Sequence, residues 1–296
     1  MKNKLIVILG PTASGKSHWA IELAKKFNGE VVSADSRQIY RGMDIGTGKI
    51  TKKEMKGIPH YLLDVAYPKK RFTVVQYQKL AQSAIKKILK KRKNPFLVGG
   101  AGFYIQAIVD QISIPRVKPD WKLRKKLEKE EAKDLFGLLK KIDPQRARNI
   151  DRQNKRKLIR ALEILVKTEK PVPPLLKKPP QFEILIIGIK KSSQEIKKLI
   201  KKRLLKRLKQ GMIAETRRLK KAGLSWRRLE EFGLEYRYIS LYLQRKLDYQ
   251  QMLKRLEKEI EHFAKRQMTW FKKDKRIHWL EKLEEAERLI EEFLKK

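Results

Sequence analysis

Leu5-Ile6-Val7-Ile8-Leu9-Gly10-Pro11-Thr12-Ala13-Ser14-Gly15-Lys16-Ser17 is the stretch that decides the fold class. Its five consecutive apolar residues read as a buried strand. The next eight fit GxxxxGK(S/T), and residues 17–27 continue in a helical pattern, so both flanks that the motif requires are present. In such a strand, loop and helix the glycines let the backbone approach phosphate closely. The loop amides and the helix N-terminus present partial positive charge, and Lys16 adds a full one. Ser17 can ligate a Mg²⁺ that bridges phosphate oxygens. The motif leaves open whether the phosphates belong to a nucleotide or to another diphosphate.

Outward from this unit, short β-branched runs at 30–33, 95–98, 182–189 and 276–280 alternate with helical stretches at 74–91, 194–222 and 249–272. That alternation predicts an α/β protein with a parallel sheet covered by helices. In the long stretch Ile196, Leu199, Ile200, Leu204, Leu208 and Ile213 recur at helical spacing, so the stripe is core. Between 115 and 181 the character changes to charged helical segments, at 121–133 and 154–167, followed by Pro171, Pro173, Pro174, Pro179 and Pro180. This reads as an inserted helical subdomain with a proline-rich return. The expected organisation is a core of 1–114 and 182–296 interrupted by an insertion at 115–181.

The 296 residues, 41 % hydrophobic, are enough for a packed core. There is no cysteine, which excludes disulfides, thiolate catalysis and cysteine-bound zinc and fits the cytoplasm. His18, His60, His262 and His278 show no metal-ligand spacing. The run at 5–9 is too short for a membrane span, so no membrane role is expected. With 74 Lys and Arg against 33 Asp and Glu, the formal charge is +41, which favours a polyanionic partner, nucleic acid first.

The second strand runs into Val31-Val32-Ser33-Ala34-Asp35, followed by Ser36-Arg37-Gln38-Ile39-Tyr40. A carboxylate just past the carboxyl end of a sheet strand lies where open α/β proteins carry out their chemistry. Asp35 reads as a general base, as a Mg²⁺ ligand or as a helix cap. The polar, glycine-rich segment Gly42-Met43-Asp44-Ile45-Gly46-Thr47-Gly48-Lys49 reads as a functional loop.

Taken together, the phosphate loop, the segment from Asp35 to Lys49, Pro59-His60-Tyr61-Leu62-Leu63-Asp64, Gly99-Gly100-Ala101-Gly102-Phe103-Tyr104 and Lys265-Arg266-Gln267-Met268-Thr269-Trp270-Phe271 resemble the tRNA dimethylallyltransferases of the bacterial type. The resemblance covers nearly the whole chain. It implies a P-loop kinase-like α/β core with an inserted helical domain. The implied activity is transfer of a dimethylallyl group from dimethylallyl diphosphate to the exocyclic amine of the adenosine 3′ of the anticodon in tRNA.

Carried onto this sequence, the resemblance gives Gly10, Pro11, Thr12, Ala13, Ser14, Gly15, Lys16 and Ser17 the donor diphosphate. Arg217 looks like a second cation for it, and Asp35 like the general base. The tRNA anticodon stem-loop would meet Asp35, Ser36, Arg37 and Gln38, the insertion's Arg124, Arg156, Lys157 and Arg160, and Lys265, Arg266, Gln267 and Trp270. Ala101 belongs to that set too, although the family often has threonine there, so a hydroxyl contact is lost. Mg²⁺ is the expected cofactor, and the protein is expected to work as a monomer. Transfer to free adenine nucleotides, a small-molecule kinase using ATP, and non-catalytic RNA binding are the competing readings.

Overall fold

The computed structural model describes residues 3–115, 117–174, 176, 179 and 181–296, so Pro180 of the expected return lies outside the described residues. The chain divides into two compact units, Met1–Gln111 with Pro179–Lys296, and Ile112–Lys178. Both edges of the second unit fall slightly earlier than 115 and 181.

The first unit begins β1 (Asn3–Leu9), α1 (Lys16–Lys26), β2 (Gly29–Ala34), β3 (His60–Tyr61), α2 (Val74–Lys90), β4 (Asn94–Gly99) and α3 (Gly102–Val109). The second unit supplies α4 (Trp121–Leu127), α5 (Ala132–Ile142), α6 (Pro144–Arg148) and α7 (Lys155–Thr168). The first then resumes with β5 (Phe182–Ile189), α8 (Ser193–Lys209), α9 (Met212–Lys221), α10 (Trp226–Glu231), α11 (Leu234–Leu243), α12 (Tyr249–Phe271), β6 (Ile277–Leu280) and α13 (Leu283–Lys295). The strands form one sheet in the order β3-β2-β4-β1-β5-β6, and every neighbouring pair is parallel.

The five apolar residues at 5–9 make β1 an inner strand buried on both faces. Leu5, Val7 and Leu9 pack with α2 and α3, whereas Ile6 and Ile8 pack with α1 and α13. Alternate side chains of a strand point to opposite faces, so one run supplies two cores. Each such side chain contributes about 1.5–3 kcal/mol by leaving water. Because the strands are parallel, the carboxyl ends of β1, β2 and β4 deliver the phosphate loop, Asp35 and Gly99-Gly100 to the same edge of the sheet. Among the described residues no helix is long and apolar enough to cross a membrane.

Two expected helices are each two. The stretch 194–222 breaks at Gly211, whose φ of +94° is a left-handed conformation that an L side chain adopts only under strain. α8 therefore ends and α9 leaves in a new direction. Similarly, 121–133 divides into α4 and α5. The second unit has a core of its own, with Leu127, Leu135, Leu139, Leu158, Leu162 and Leu165 buried together.

Candidate active site

The phosphate loop is held from behind. Thr12 N–H donates to Gln267 Oε1 at 2.8 Å, and Gln267 Nε2 donates to the Gly100 carbonyl at 2.8 Å. One buried amide near the end of α12 thus ties the loop after β1 to the loop after β4, and a Cβ on Gly100 would lie 2.3 Å from its nitrogen. Ala13 takes a positive φ of 65°, and Gly15 caps α1. Ser14 Oγ is buried and without a hydrogen-bond partner among the described residues, a polar atom that a bound anion would satisfy. Lys16 Nζ donates to the Pro11 carbonyl at 3.2 Å. The Ser17 hydroxyl is exposed at the first turn of α1.

Two further cations reach this loop from α8. Arg203 donates to Thr12 Oγ1. Arg207, 7 % exposed, pairs with Glu235 at 3.1 Å. Burial, then Arg203, and to a smaller extent Arg207, pull the Lys16 pKa down to about 8, with Asp35 opposing them. Burial and Arg207 bring Arg203 down to about 9, against Glu235 and Asp35. A cluster of like charges under this strain is a site waiting for an anion.

The strain has a pH signature. A bound anion favours protonated Lys16 and raises its pKa, so binding takes up a proton above the free value of about 8. Affinity for inorganic pyrophosphate is expected to stay level up to that pH and then to weaken by up to about tenfold per unit. Calorimetry between about pH 7 and about pH 9, below the range in which Arg203 gives up its own proton, checks this, and Lys16→Arg should remove the fall over that window.

Asp35 faces the cations from the end of β2. Its Oδ1 accepts from the N–H groups of Arg37 at 2.8 Å and Gln38 at 3.3 Å, which fixes the carboxylate and leaves Oδ2 unbonded among the described residues. Gln38 donates to the Gly48 carbonyl at 3.1 Å, and the Arg37 guanidinium lies over Phe232 at 5.7 Å. Ser36 is half-buried beside them. Ala101 caps α3 and donates its N–H to the Ala34 carbonyl at 3.1 Å. Beneath lie Tyr77 and Tyr104, stacked with centroids 3.8 Å apart.

Several expected site residues do something else. Arg217 is exposed on α9 and is not among the charges acting on Lys16. The break at Gly211 places it on a different helix from Arg203 and Arg207, which occupy the place expected of it. Gln267 points inward to the loops, because the face of α12 that carries it is the buried one. Lys265, Arg266 and Trp270 are on the exposed face and, with His262, Thr269 and Lys273, line a depression of about 360 Å³. Cations flanking an open indole suit phosphates and stacked bases.

In the second unit, Arg124 forms a bidentate pair with the fully buried Glu163, at 2.7 and 2.6 Å, and Arg160 also pairs with it. Burial pushes the Glu163 pKa up, but hydrogen bonds from Arg124, the Asp120 N–H and Arg160 more than offset it. These arginines are therefore spent on an internal carboxylate. Arg156 and Lys157, at the start of α7, are exposed and available. Replacing Arg124 and Arg160 together with alanine should cost about 3–5 kcal/mol, because a buried charge loses its partners. A fall in the urea midpoint of the second unit's unfolding reads it.

The sequence reading missed Arg203, Arg207, Glu215 and Tyr236. A signal for the first two was present. Arg203 and Arg207 follow Ile196 and Ile200 on one helical stripe, and arginine on a buried stripe needs an anionic partner.

The chain is similar to known proteins over most of its length. The family described as IPP transferase matches residues 38–274. The tRNA dimethylallyltransferase of Acetivibrio thermocellus is 39 % identical over 289 residues, 95 % of this chain and 92 % of that protein. That of Pelotomaculum thermopropionicum is 41 % identical over 285 residues, 94 % and 91 % of the two chains. The crystal structure of the tRNA isopentenylpyrophosphate transferase of Bacillus halodurans superposes with a TM-score of 0.74 at 34 % identity, covering 99 % of this chain and 96 % of that one. A eukaryotic dimethylallyltransferase captured acting on tRNA gives 0.78 at 26 % identity, covering 94 % and 74 %.

Proposed function

The chain belongs to the IPP transferase family of tRNA dimethylallyltransferases, and from that membership we propose which of its residues carry the reaction. It is an enzyme that prenylates tRNA, and on this reading the product is N6-isopentenyladenosine next to the anticodon. The observation that carries the residue-level reading is the convergence of Lys16, Arg203 and Arg207 on one loop, with Asp35 facing them.

The loop holds the diphosphate of dimethylallyl diphosphate, and Ser14 and the α1 N-terminus add donors. The adenosine amine attacks C1 of the prenyl group while the C1–O bond breaks, and its electron pair leaves on the diphosphate. Lys16, Arg203 and Arg207 stabilise that departing charge, which is greater in the transition state than in the bound donor. Asp35, held through Oδ1, takes the amine proton on Oδ2. The base must leave its stack to reach Asp35, at a cost of a few kcal/mol. Exposed Arg156, Lys157, Lys265, Arg266 and Trp270 bind the RNA.

Among the described residues no group of three or more His, Asp or Glu could hold a metal unaided. The hard oxygen of Ser17, exposed beside the loop, suits a Mg²⁺ that enters with the diphosphate. The ion would neutralise charge on the leaving oxygens. The protein works as a monomer in the cytoplasm on this reading.

The test is incubation with dimethylallyl diphosphate, Mg²⁺ and a tRNA that reads codons beginning with U, followed by nucleoside mass spectrometry. The prenylated adenosine 3′ of the anticodon supports the reading. Transfer to AMP in its place, or none from active donor, overturns it.

A further inference from the structure

Glu215 lies on α9, well away from the phosphate loop in sequence, and is 1 % exposed. Its carboxylate is fully occupied by one short turn and one neighbouring ring. Oε2 accepts from the N–H groups of Asp44 at 2.9 Å and Ile45 at 2.8 Å. Oε1 accepts from the Gly46 N–H at 2.9 Å and the Tyr236 hydroxyl at 2.8 Å. Three successive amides aimed at one carboxylate form an anion-binding nest, here filled by the protein's own side chain. The nearest cation, Arg218, is 4.0 Å away and largely exposed.

The turn fixed in this way closes on itself. Gly48 N–H donates to the Ile45 carbonyl at 3.1 Å, Lys49 N–H to that of Asp44 at 2.9 Å, and the Thr47 hydroxyl to that of Met43 at 2.6 Å. Its last glycine meets the active site twice. The Gly48 carbonyl holds Gln38, next to Asp35. The space where Gly48 would carry a Cβ is filled by the Arg207 guanidinium, whose Nη2 lies 1.4 Å from that point, and the residue has a φ of +58°. Gly48 is therefore the floor on which Arg207 rests while it acts on Lys16 and Arg203.

We infer that Glu215 is a positioning residue: by clamping the turn 44–49 it seats Arg207 against the phosphate loop and holds Gln38 beside Asp35, setting the distance between the two halves of the reaction. The inference rests on the reading that the Lys16 loop holds a diphosphate. It does not require that the donor be a prenyl diphosphate. Glu215 touches no substrate, and its effect travels through Gly48.

Three variants separate this from a merely structural role. In Glu215→Gln one side-chain atom becomes an NH₂ donor, so in either orientation at least one backbone N–H faces a donor. Gly48→Ala leaves Glu215 intact and displaces Arg207 directly. Tyr236→Phe removes one bond to the carboxylate and leaves the three amides. Inorganic pyrophosphate is the probe, with its Kd measured by calorimetry near pH 7, well below each variant's Tm. Glu215→Gln and Gly48→Ala are each expected to weaken binding about tenfold or more, the scale of a lost charged contact, and Tyr236→Phe less than about threefold.

A structural role alone lowers Tm and the active fraction, and leaves the Kd of the folded fraction as in the parent. That result in Glu215→Gln, or a Gly48→Ala protein that binds as the parent does, overturns the inference. A parent that prenylates tRNA beside variants with unchanged Kd removes the inference and leaves the functional reading standing. If the parent binds pyrophosphate without prenylating tRNA, and the variants bind weakly, the functional reading falls and the inference stands. A parent that does not bind pyrophosphate overturns the inference and, with it, the reading that the Lys16 loop holds the diphosphate.

Discussion

Asp35→Ala is expected to lower kcat for dimethylallyl transfer by about 10²- to 10⁴-fold, the range of a lost general base. The adenosine amine is a weak nucleophile whose lone pair is shared with its ring, so the proton must leave as the new bond forms. Asp35 is the carboxylate at the sheet edge with one oxygen fixed by two amides and the other unbonded among the described residues. Asp35→Asn keeps the fixed oxygen and the turn at 35–38, and replaces the proton acceptor with a donor. The two variants should fall together. An asparagine variant at the parental rate would show that the side chain serves only to shape the turn. The loss should appear in kcat without a comparable loss of affinity for pyrophosphate, since both variants keep Lys16, Arg203 and Arg207.

Arg203→Met is expected to lower kcat by about 10²- to 10³-fold, as for removal of one preorganised group from developing negative charge, whereas Arg217→Met stays within about threefold. The contrast tests the reassignment between two arginines on adjoining helices. Arg203 donates to the loop through Thr12, and Arg217 is exposed on the far side of the Gly211 break. Single-turnover rates with saturating tRNA separate the chemical step from product release. Equal losses in both variants, or a loss confined to Arg217→Met, would return the second cation to α9.

The sheet was legible because its strands are written as short apolar runs, each bounded by glycine, proline or charge. The run at 5–9 has no polar residue to place on a solvated face, so it had to be covered twice. The phosphate loop and Asp35 were legible for a related reason: chemistry at the carboxyl end of a parallel strand follows its strand directly in sequence. What failed was direction within basic helices. In 194–222 more than half of the exposed positions are Lys or Arg, and the break at Gly211 decides which of the basic residues turn towards the loop.

The pairing of Arg124 and Arg160 was hidden in the same way, because their partner Glu163 sits on an apolar face where a sequence pattern leads one to expect core. Gln267 was sorted with its neighbours Lys265 and Arg266, although a helix turns through about 100° per residue and sends them to different surroundings. Short connecting elements such as β3, α10 and α11 carry too few residues for a period to be read.

The bond between Thr12 and Gln267 has a consequence for the order in which the protein is made. The phosphate-binding motif is complete as soon as residue 17 leaves the ribosome, but the residue that braces it is made some 250 positions later, an interval of roughly 12 to 50 seconds at the usual pace of about 5–20 residues per second. β1 must likewise wait for β4 and then β5 before both its edges are paired. A nascent chain therefore carries the loop without the amide that braces it. The brace on the loop forms late in synthesis, after about nine-tenths of the chain has been made.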